Sequence, residues 1–519
     1  MPSFCSFHRP RRGWLLLVLL LALAGCVRPG PELPDDLTGA AGEVESATAE
    51  SAPADAPLIA QLGTAAPAFA DQPTPDPPHY TVDTSAAGGL GSHIVVAGET
   101  LGQLAQRYGT TVAELMTLNG LDNADLVQVG QSLQVPGSTI QQVAGPDFKI
   151  IPDSELVYGP AARDFDVRAF AAALNGALMS YQEQVEGQTM DGPAIVQLVA
   201  DRHSVNPRLL LAVLEHRAGW VTQATPTPGS SILGNSAAGA NSLYIQLSWV
   251  ANLLNLGFYG RNEGGLRSFN LGDSTQITLS PLINDGTAGV QLFLAAVDGA
   301  TVETWQRETG PEGFYATYSR LFGNPFAYTV EPLIPTDLAS PPLELPWAAG
   351  ETWYFTGGPH GGWNTGSAWA ALDFVPPGQQ TGCIPSDAWV TAMADGVVSR
   401  SGHGAVVVDL DGDGFAGTGW AITYMHLETR DRAPLGAQIQ TGDRLGHPSC
   451  EGGFSNGTHL HIARTYNGRW ISADGQLPFV MSDWVSSGAG AEYDGYLTRA
   501  ADTREACVCR EAINAIDHP

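Results

Sequence analysis

The hydrophobic period of this chain changes once along its length, and that change limits what it can fold into. From about residue 167 to residue 328, apolar residues recur at three- and four-residue spacing. The pattern is clearest over 194–203, 207–216 and 287–297, and it predicts helices. Further on, runs such as Ala405-Val406-Val407-Val408 and Ala421-Ile422-Thr423-Tyr424-Met425 are separated by Gly-rich turns, which predicts antiparallel strands. A chain of 519 residues is too long for one core, so several domains are expected. The helical part is bounded at 150–328, a proline-rich linker at 329–346, an all-β domain at 347–500 and a tail at 501–519.

The N-terminus has the pattern of an export signal. Arg9, Arg11 and Arg12 precede a short apolar run over 14–22. That run is shorter than the ~20 residues a membrane-spanning helix needs. It leads into Leu23-Ala24-Gly25-Cys26, which resembles the lipobox of bacterial lipoproteins. The resemblance implies a signal peptide over 1–25, diacylation of Cys26, and a membrane attachment outside the cytoplasm. Residues 26–92 are rich in Pro, Ala, Gly, Asp, Glu and Thr without an apolar period, and no lysine or arginine lies between Arg28 and Arg107. Such a stretch is expected to be a disordered tether. Lys149 is the only lysine, and the net charge of −29 excludes nucleic acid as an expected partner. Four cysteines remain in the exported part. Cys383 with Cys450 is the favoured bridge. Cys507 and Cys509 are too close to pair without strain, which leaves other pairings or a redox couple open.

Order is expected to resume at His93. The order strand, helix, helix, strand over 93–137 opens on Val96-Ala97-Gly98-Glu99-Thr100-Leu101 and closes on Val129-Gly130-Gln131-Ser132-Leu133-Gln134-Val135-Pro136. It resembles a LysM domain, a small βααβ module. The resemblance implies binding of N-acetylglucosamine-containing glycan such as peptidoglycan. Within the helical part, residues 205–215 resemble the helix that ends in the acid glutamate of lysozyme-like lytic transglycosylases. That likeness implies an all-α lysozyme-like domain with Glu215 as the acid. The family's serine after the glutamate is replaced here by His216-Arg217, and a helical spacer or binding domain is the competing reading.

The segment that carries chemistry is Ser455-Asn456-Gly457-Thr458-His459-Leu460-His461. Two histidines at i and i+2 on a strand share a face about 7 Å apart. Upstream stand Gly358-Pro359-His360-Gly361-Gly362-Trp363, then Ala371-Leu372-Asp373-Phe374 with its aspartate thirteen residues after His360, and Tyr424-Met425-His426-Leu427. Together these resemble the lysostaphin-type, LytM-like zinc endopeptidases, with spacing closest to the beta-lytic and staphylolysin branch. The resemblance implies one zinc ion held by His360, Asp373 and His461. It also implies His426 and His459 as the non-ligand histidines of catalysis, one the base and the other the oxyanion or leaving-group partner. Tyr493 is a further candidate hydroxyl donor. Asp409-Leu410-Asp411-Gly412-Asp413-Gly414 opens like a calcium loop, but Trp420 stands where a bidentate glutamate is needed. That leaves either a plain hairpin or a partial calcium site at Asp409, Asp411 and Asp413. The leading expectation is a lipid-anchored zinc endopeptidase of peptidoglycan peptides. Its competitors are a non-catalytic wall-binding scaffold or amidase activator, and a dual enzyme that also cleaves glycan at Glu215.

Overall fold

The computed structural model describes residues 91–94, 100–124 except 109 and 122, 132–135, and 142–519 except 227, 228, 238, 273, 274 and 379–381. The signal peptide, Cys26 and almost all of the tether lie outside these residues. No helix among the described residues is long and apolar enough to cross a membrane.

The first module is β1 (Gly91–Ile94), α1 (Leu101–Arg107), α2 (Val112–Asn119) and β2 (Ser132–Val135), with β1 antiparallel to β2. β1 begins two residues inside the stretch expected to be tether. A capping box starts α2: Thr111 Oγ1 accepts the Glu114 N–H at 3.2 Å, and the Glu114 carboxylate accepts the Thr111 N–H at 2.9 Å. Leu101, Leu104, Leu115, Leu133 and Val135 form its small core.

The middle unit is mixed rather than all-α, which corrects the lysozyme-like expectation. β3 (Gln142–Ala144), β6 (Ser268–Asn270) and β7 (Gln276–Thr278) form a three-stranded sheet, and β4 (Gln182–Val185) and β5 (Gln188–Asp191) form a hairpin. The helices are α3 (Val167–Leu174), α4 (Gly192–His203), α5 (Pro207–Ala218), α6 (Leu243–Asn262), α7 (Asp285–Ala296), α8 (Val302–Glu308) and α9 (Phe314–Phe322). Residues 207–215 of α5 are all buried, so α5 runs through the centre of the unit. Asn206 caps it by accepting the Arg208 N–H at 3.0 Å. Arg208 in turn meets the fully buried Glu155 at 2.5 Å, and the Tyr318 hydroxyl donates to the same carboxylate. Glu155→Ala would leave Arg208 buried without its counter-ion. The expected loss is about 3–5 kcal/mol of stability, read by urea unfolding.

The C-terminal unit contains β8 (Thr352–His360), β9 (Ala371–Val375), β10 (Val390–Thr391), β11 (Gly396–Gly402), β12 (Ala405–Asp409) and β13 (Trp420–Met425). It continues with β14 (Gln438–Ile439), β15 (Arg444–Gly446), β16 (Leu460–Tyr466), β17 (Arg469–Trp470) and β18 (Val480–Met481). It closes with β19 (Trp484–Gly488), β20 (Gly495–Arg499), β21 (Asp502–Glu505) and β22 (Ala515–Asp517). The main antiparallel sheet runs β14-β11-β12-β13-β16-β9-β8-β22, with β17 paired to β16. The segment expected to be a tail therefore belongs to the domain. β21 pairs with β20, β22 pairs with β8, and Ile516 is fully buried. The linker is also partly core: Leu343 and Leu345 pack with Trp347 inside the β unit.

Strand alternation gives the sheet two different faces. On β9 and β16, Leu372, Phe374, Leu460 and Ile462 enter the core of the β unit. The intervening residues, Ala371, Asp373, His461 and Ala463, point the other way. At one end of that second face Ala368, Ala370, Ala371, Ala463 and Trp470 join the core of the helical unit. At the other end lies the site.

Candidate metal centre

Three adjacent strands bring the expected ligands together. His461 on β16 lies opposite Asp373 on β9. His360 ends β8, opposite Ala371, after irregularities in the β8–β9 register. Gly357 is the β8 residue opposite Asp373. A Cβ there would meet Asp373 Oδ2 at 2.8 Å, so glycine leaves room for the carboxylate. All three candidate ligands are buried.

Their facing atoms are closely spaced. His360 Nε2 lies 3.1 Å from His461 Nδ1, Asp373 Oδ1 lies 3.1 Å from His461 Nδ1, and His360 Nε2 lies 3.3 Å from Asp373 Oδ1. The other ring nitrogens are committed elsewhere. His360 Nδ1 donates to the Gly358 carbonyl at 2.8 Å, and His461 Nε2 donates to the Gly362 carbonyl at 3.2 Å. These tautomers, assigned from the hydrogen-bond network, leave three lone-pair atoms facing one another. Three acceptors at such separations repel unless a cation lies between them. A tetrahedral ion with bonds of about 2.0–2.1 Å has ligand–ligand edges of about 3.3–3.4 Å, and carbonyl-fixed imidazoles are the usual support of metal ligands. The residues present therefore fit a zinc ion. Burial opposes charge on Asp373, but the His360 and His459 side chains that face it hold its pKa well below the usual carboxylate range.

Two further histidines flank this group. His426 follows β13 in a left-handed turn (φ 61°), and its Nδ1 donates to the Glu451 carbonyl at 3.1 Å. His459 Nδ1 donates to the Gly457 carbonyl at 2.7 Å, and its Nε2 lies 3.7 Å from Asp373 Oδ1. Their ring centroids are 4.3 Å apart, and the His426 ring lies 6.1 Å from that of His461. Each therefore presents an unprotonated Nε2 beside the ligand group. Burial, together with the neighbouring His459 and His461, pushes the His426 pKa well down, so its neutral form persists through neutral pH.

Other expected residues fall in different places. Tyr493 stacks its ring on His360 at 4.2 Å, because its segment hydrogen-bonds to β8 through Gly358 and Pro359. Cys383 is bonded to Cys450, and Cys507 to Cys509. Glu215 is far from acid duty. Its carboxylate accepts from the Val221 and Thr222 amides and the Thr222 hydroxyl, with Arg320 at 3.4 Å. All four donors come from the middle unit itself, so these contacts are those of a structural residue. Asp409, Asp411 and Asp413 lie within 4.8 Å of one another. Their oxygens accept amides of the same loop, and Asp413 pairs with Arg163 of the helical unit at 2.6 Å. That is a hairpin docked across the units, and the calcium expectation finds no support.

Sequence reasoning missed the four carbonyls that orient the histidines, since a backbone oxygen carries no residue signature. It also missed Glu492, whose carboxyl oxygens are buried next to Tyr493 and face the Gly361 backbone N–H. Burial pushes the Glu492 pKa well above the usual value.

Known proteins place this architecture in context. Residues 93–136 match the LysM domain family, and residues 149–335 match the family described as LasA, N-terminal domain. The chain is a multidomain protein with a LysM module, a largely helical middle unit similar to the LasA N-terminal domain, and a β-rich C-terminal unit. Among relatives, it is 26% identical to Protease LasA of Pseudomonas aeruginosa over 343 residues, which cover 62% of this chain and 75% of that protein. It is 40% identical over 60 residues to the N-acetylmuramoyl-L-alanine amidase sle1 of Staphylococcus haemolyticus, covering 12% of this chain and 18% of that one. Among solved structures, the M23 metalloprotease pseudoalterin is 28% identical, covering 32% of this chain and 96% of its own, with a TM-score of 0.27. The catalytic domain of lysostaphin from Staphylococcus simulans is 22% identical, covering 24% and 88%, with a TM-score of 0.18.

Proposed function

We propose that the chain is a zinc-dependent endopeptidase of peptidoglycan peptides, working outside the cytoplasm. The LysM module holds it on glycan, and a lipid on Cys26 holds it to the membrane. The observation that carries this reading is the set of three lone-pair atoms 3.1–3.3 Å apart, each imidazole turned by a backbone carbonyl. The likeness to a protease over 343 residues supports it.

Bound zinc would supply Lewis-acid polarisation of the scissile carbonyl and an activated water. The remaining work belongs to the chain. Asp373 stays anionic among the imidazoles and balances the charge of the site. His426 and His459, with protons on Nδ1, each offer Nε2 to take a proton. Once protonated, either can return it to the leaving amine. Tyr493 packs the His360 ring in place.

Product analysis of purified peptidoglycan tests this reading. The expected result is new amino termini without anhydro-muropeptides. Anhydro-muropeptides alone would shift the activity to the glycan, and the absence of any product would leave a wall-binding scaffold.

A further inference from the structure

The segment 361–370 joins the first two candidate ligands, His360 and Asp373, and it contains no helix or strand. Its conformation is set from outside the β unit. On α6 the buried Asn252 accepts the Gly366 N–H at 2.6 Å through Oδ1 and donates to Thr365 Oγ1 at 2.8 Å through Nδ2. Gly366 sits against the α6 backbone so closely that a Cβ would lie 2.0 Å from the Asn252 carbonyl oxygen. On α4 the Arg202 guanidinium lies 4.8 Å over the Trp363 ring. It is fixed there by the Tyr244 hydroxyl at 2.6 Å and Glu186 at 2.8 Å. A third grip is indirect. Trp470 backs Gly362, and its indole N–H donates to the His203 carbonyl of α4 while its backbone N–H donates to the Tyr259 hydroxyl of α6.

Beyond its covalent ends, the held segment meets the site through the Gly362 carbonyl, which takes the His461 Nε2–H at 3.2 Å. That bond decides which nitrogen of His461 faces Asp373 and His360. We propose that the helical unit sets the geometry of the metal centre through this segment, with Asn252 as the positioning residue. The inference rests on the zinc reading above. The order of action is α6 to Gly366, Gly366 through the short loop to Gly362, and Gly362 to His461. Asn252 touches no ligand, so its contribution is preorganisation. Without its two bonds, the Gly362 carbonyl has more than one position to sample, and His461 loses its fixed tautomer and orientation.

Two readouts on the full chain test this, and neither needs substrate. One is zinc affinity, by competition with a chromophoric chelator. The other is amide exchange at Gly362 and Gly366 in the metal-free protein. Asn252→Ala is expected to lower zinc affinity roughly tenfold, a typical cost of losing outer support at a metal site, and to speed exchange at both glycines. Asn252→Asp keeps the oxygen that accepts from Gly366 and can still accept from the Thr365 hydroxyl, but it loses the Nδ2 donor and buries a charge, so it is expected to fall between Asn252→Ala and wild type on both. Gly366→Ala, which pushes the segment off α6 from the other side, is expected to follow Asn252→Ala. Wild-type zinc affinity in Asn252→Ala would overturn the proposal while leaving the zinc reading intact. A wild-type chain that takes up no zinc would sink the zinc reading, and this inference with it.

Discussion

His461→Ala is expected to arrive without zinc and without hydrolytic activity, while His459→Ala keeps its zinc and loses activity by about 10²- to 10⁴-fold. Both side chains come from one strand region and share a face, but their surroundings differ. His461 Nδ1 lies 3.1 Å from both His360 Nε2 and Asp373 Oδ1, inside the group of lone pairs. His459 Nε2 lies 3.7 Å from Asp373 Oδ1, at the edge of that group. Removing His461 deletes a ligand atom and leaves His360 and Asp373 to hold the ion alone. Removing His459 leaves the ligand atoms in place and takes away a proton carrier. Metal analysis beside a turbidity assay on peptidoglycan reads both effects. A metal-free His459→Ala protein would show that the two roles are exchanged.

Opening the Cys383–Cys450 bridge is expected to cut activity sharply while zinc stays bound. The bridge spans 67 residues of sequence. A crosslink closing a loop of that length contributes roughly 4 kcal/mol by chain-entropy reasoning. Its local effect is more specific. Cys450 is next to Glu451, whose carbonyl holds His426 Nδ1. The same segment runs on to Ser455 and Gly457, which contact His459 Nδ1 at 3.3 and 2.7 Å. The three ligand atoms sit instead on β8, β9 and β16. Cys383→Ser with Cys450→Ser should therefore free both proton-carrying histidines and spare the ion. The measurement is kcat against zinc content, together with the unfolding midpoint. Loss of zinc in step with activity would show that the bridge supports the whole site rather than the two histidines.

The legible parts of this protein are those where one short window carries the whole signal. Leu460 and Ile462 alternate with His461 and Ala463, so a period of two already separates a core face from a site face. The convergence of His360 with Asp373 was legible only through a family likeness, because the irregular segment 361–370 separates their strands. What escaped depends on distant partners. β22 is three residues long and finds its place against β8, more than 150 residues earlier, so nothing in its own window marks it as a strand. β3 and β7, also three residues each, pair across a similar separation. The union of the helical and β cores rests on Ala368, Ala370, Ala371, Ala463 and Trp470, and nothing in the run Ala368-Trp369-Ala370-Ala371-Leu372 marks which core each residue joins. Glu215 follows an apolar helix as an acid glutamate would, but the donors that claim it come from the turn beyond α5 and from α9.

The central claim is that His360, Asp373 and His461 hold a zinc ion on which hydrolysis depends. Metal content and activity measured together, on the purified chain before and after chelation, test it most directly. The account predicts a single zinc per chain, loss of peptide hydrolysis when it is stripped, and recovery when zinc alone is returned. A chain that carries no zinc as purified and cleaves peptidoglycan peptides at full rate in excess chelator would contradict it.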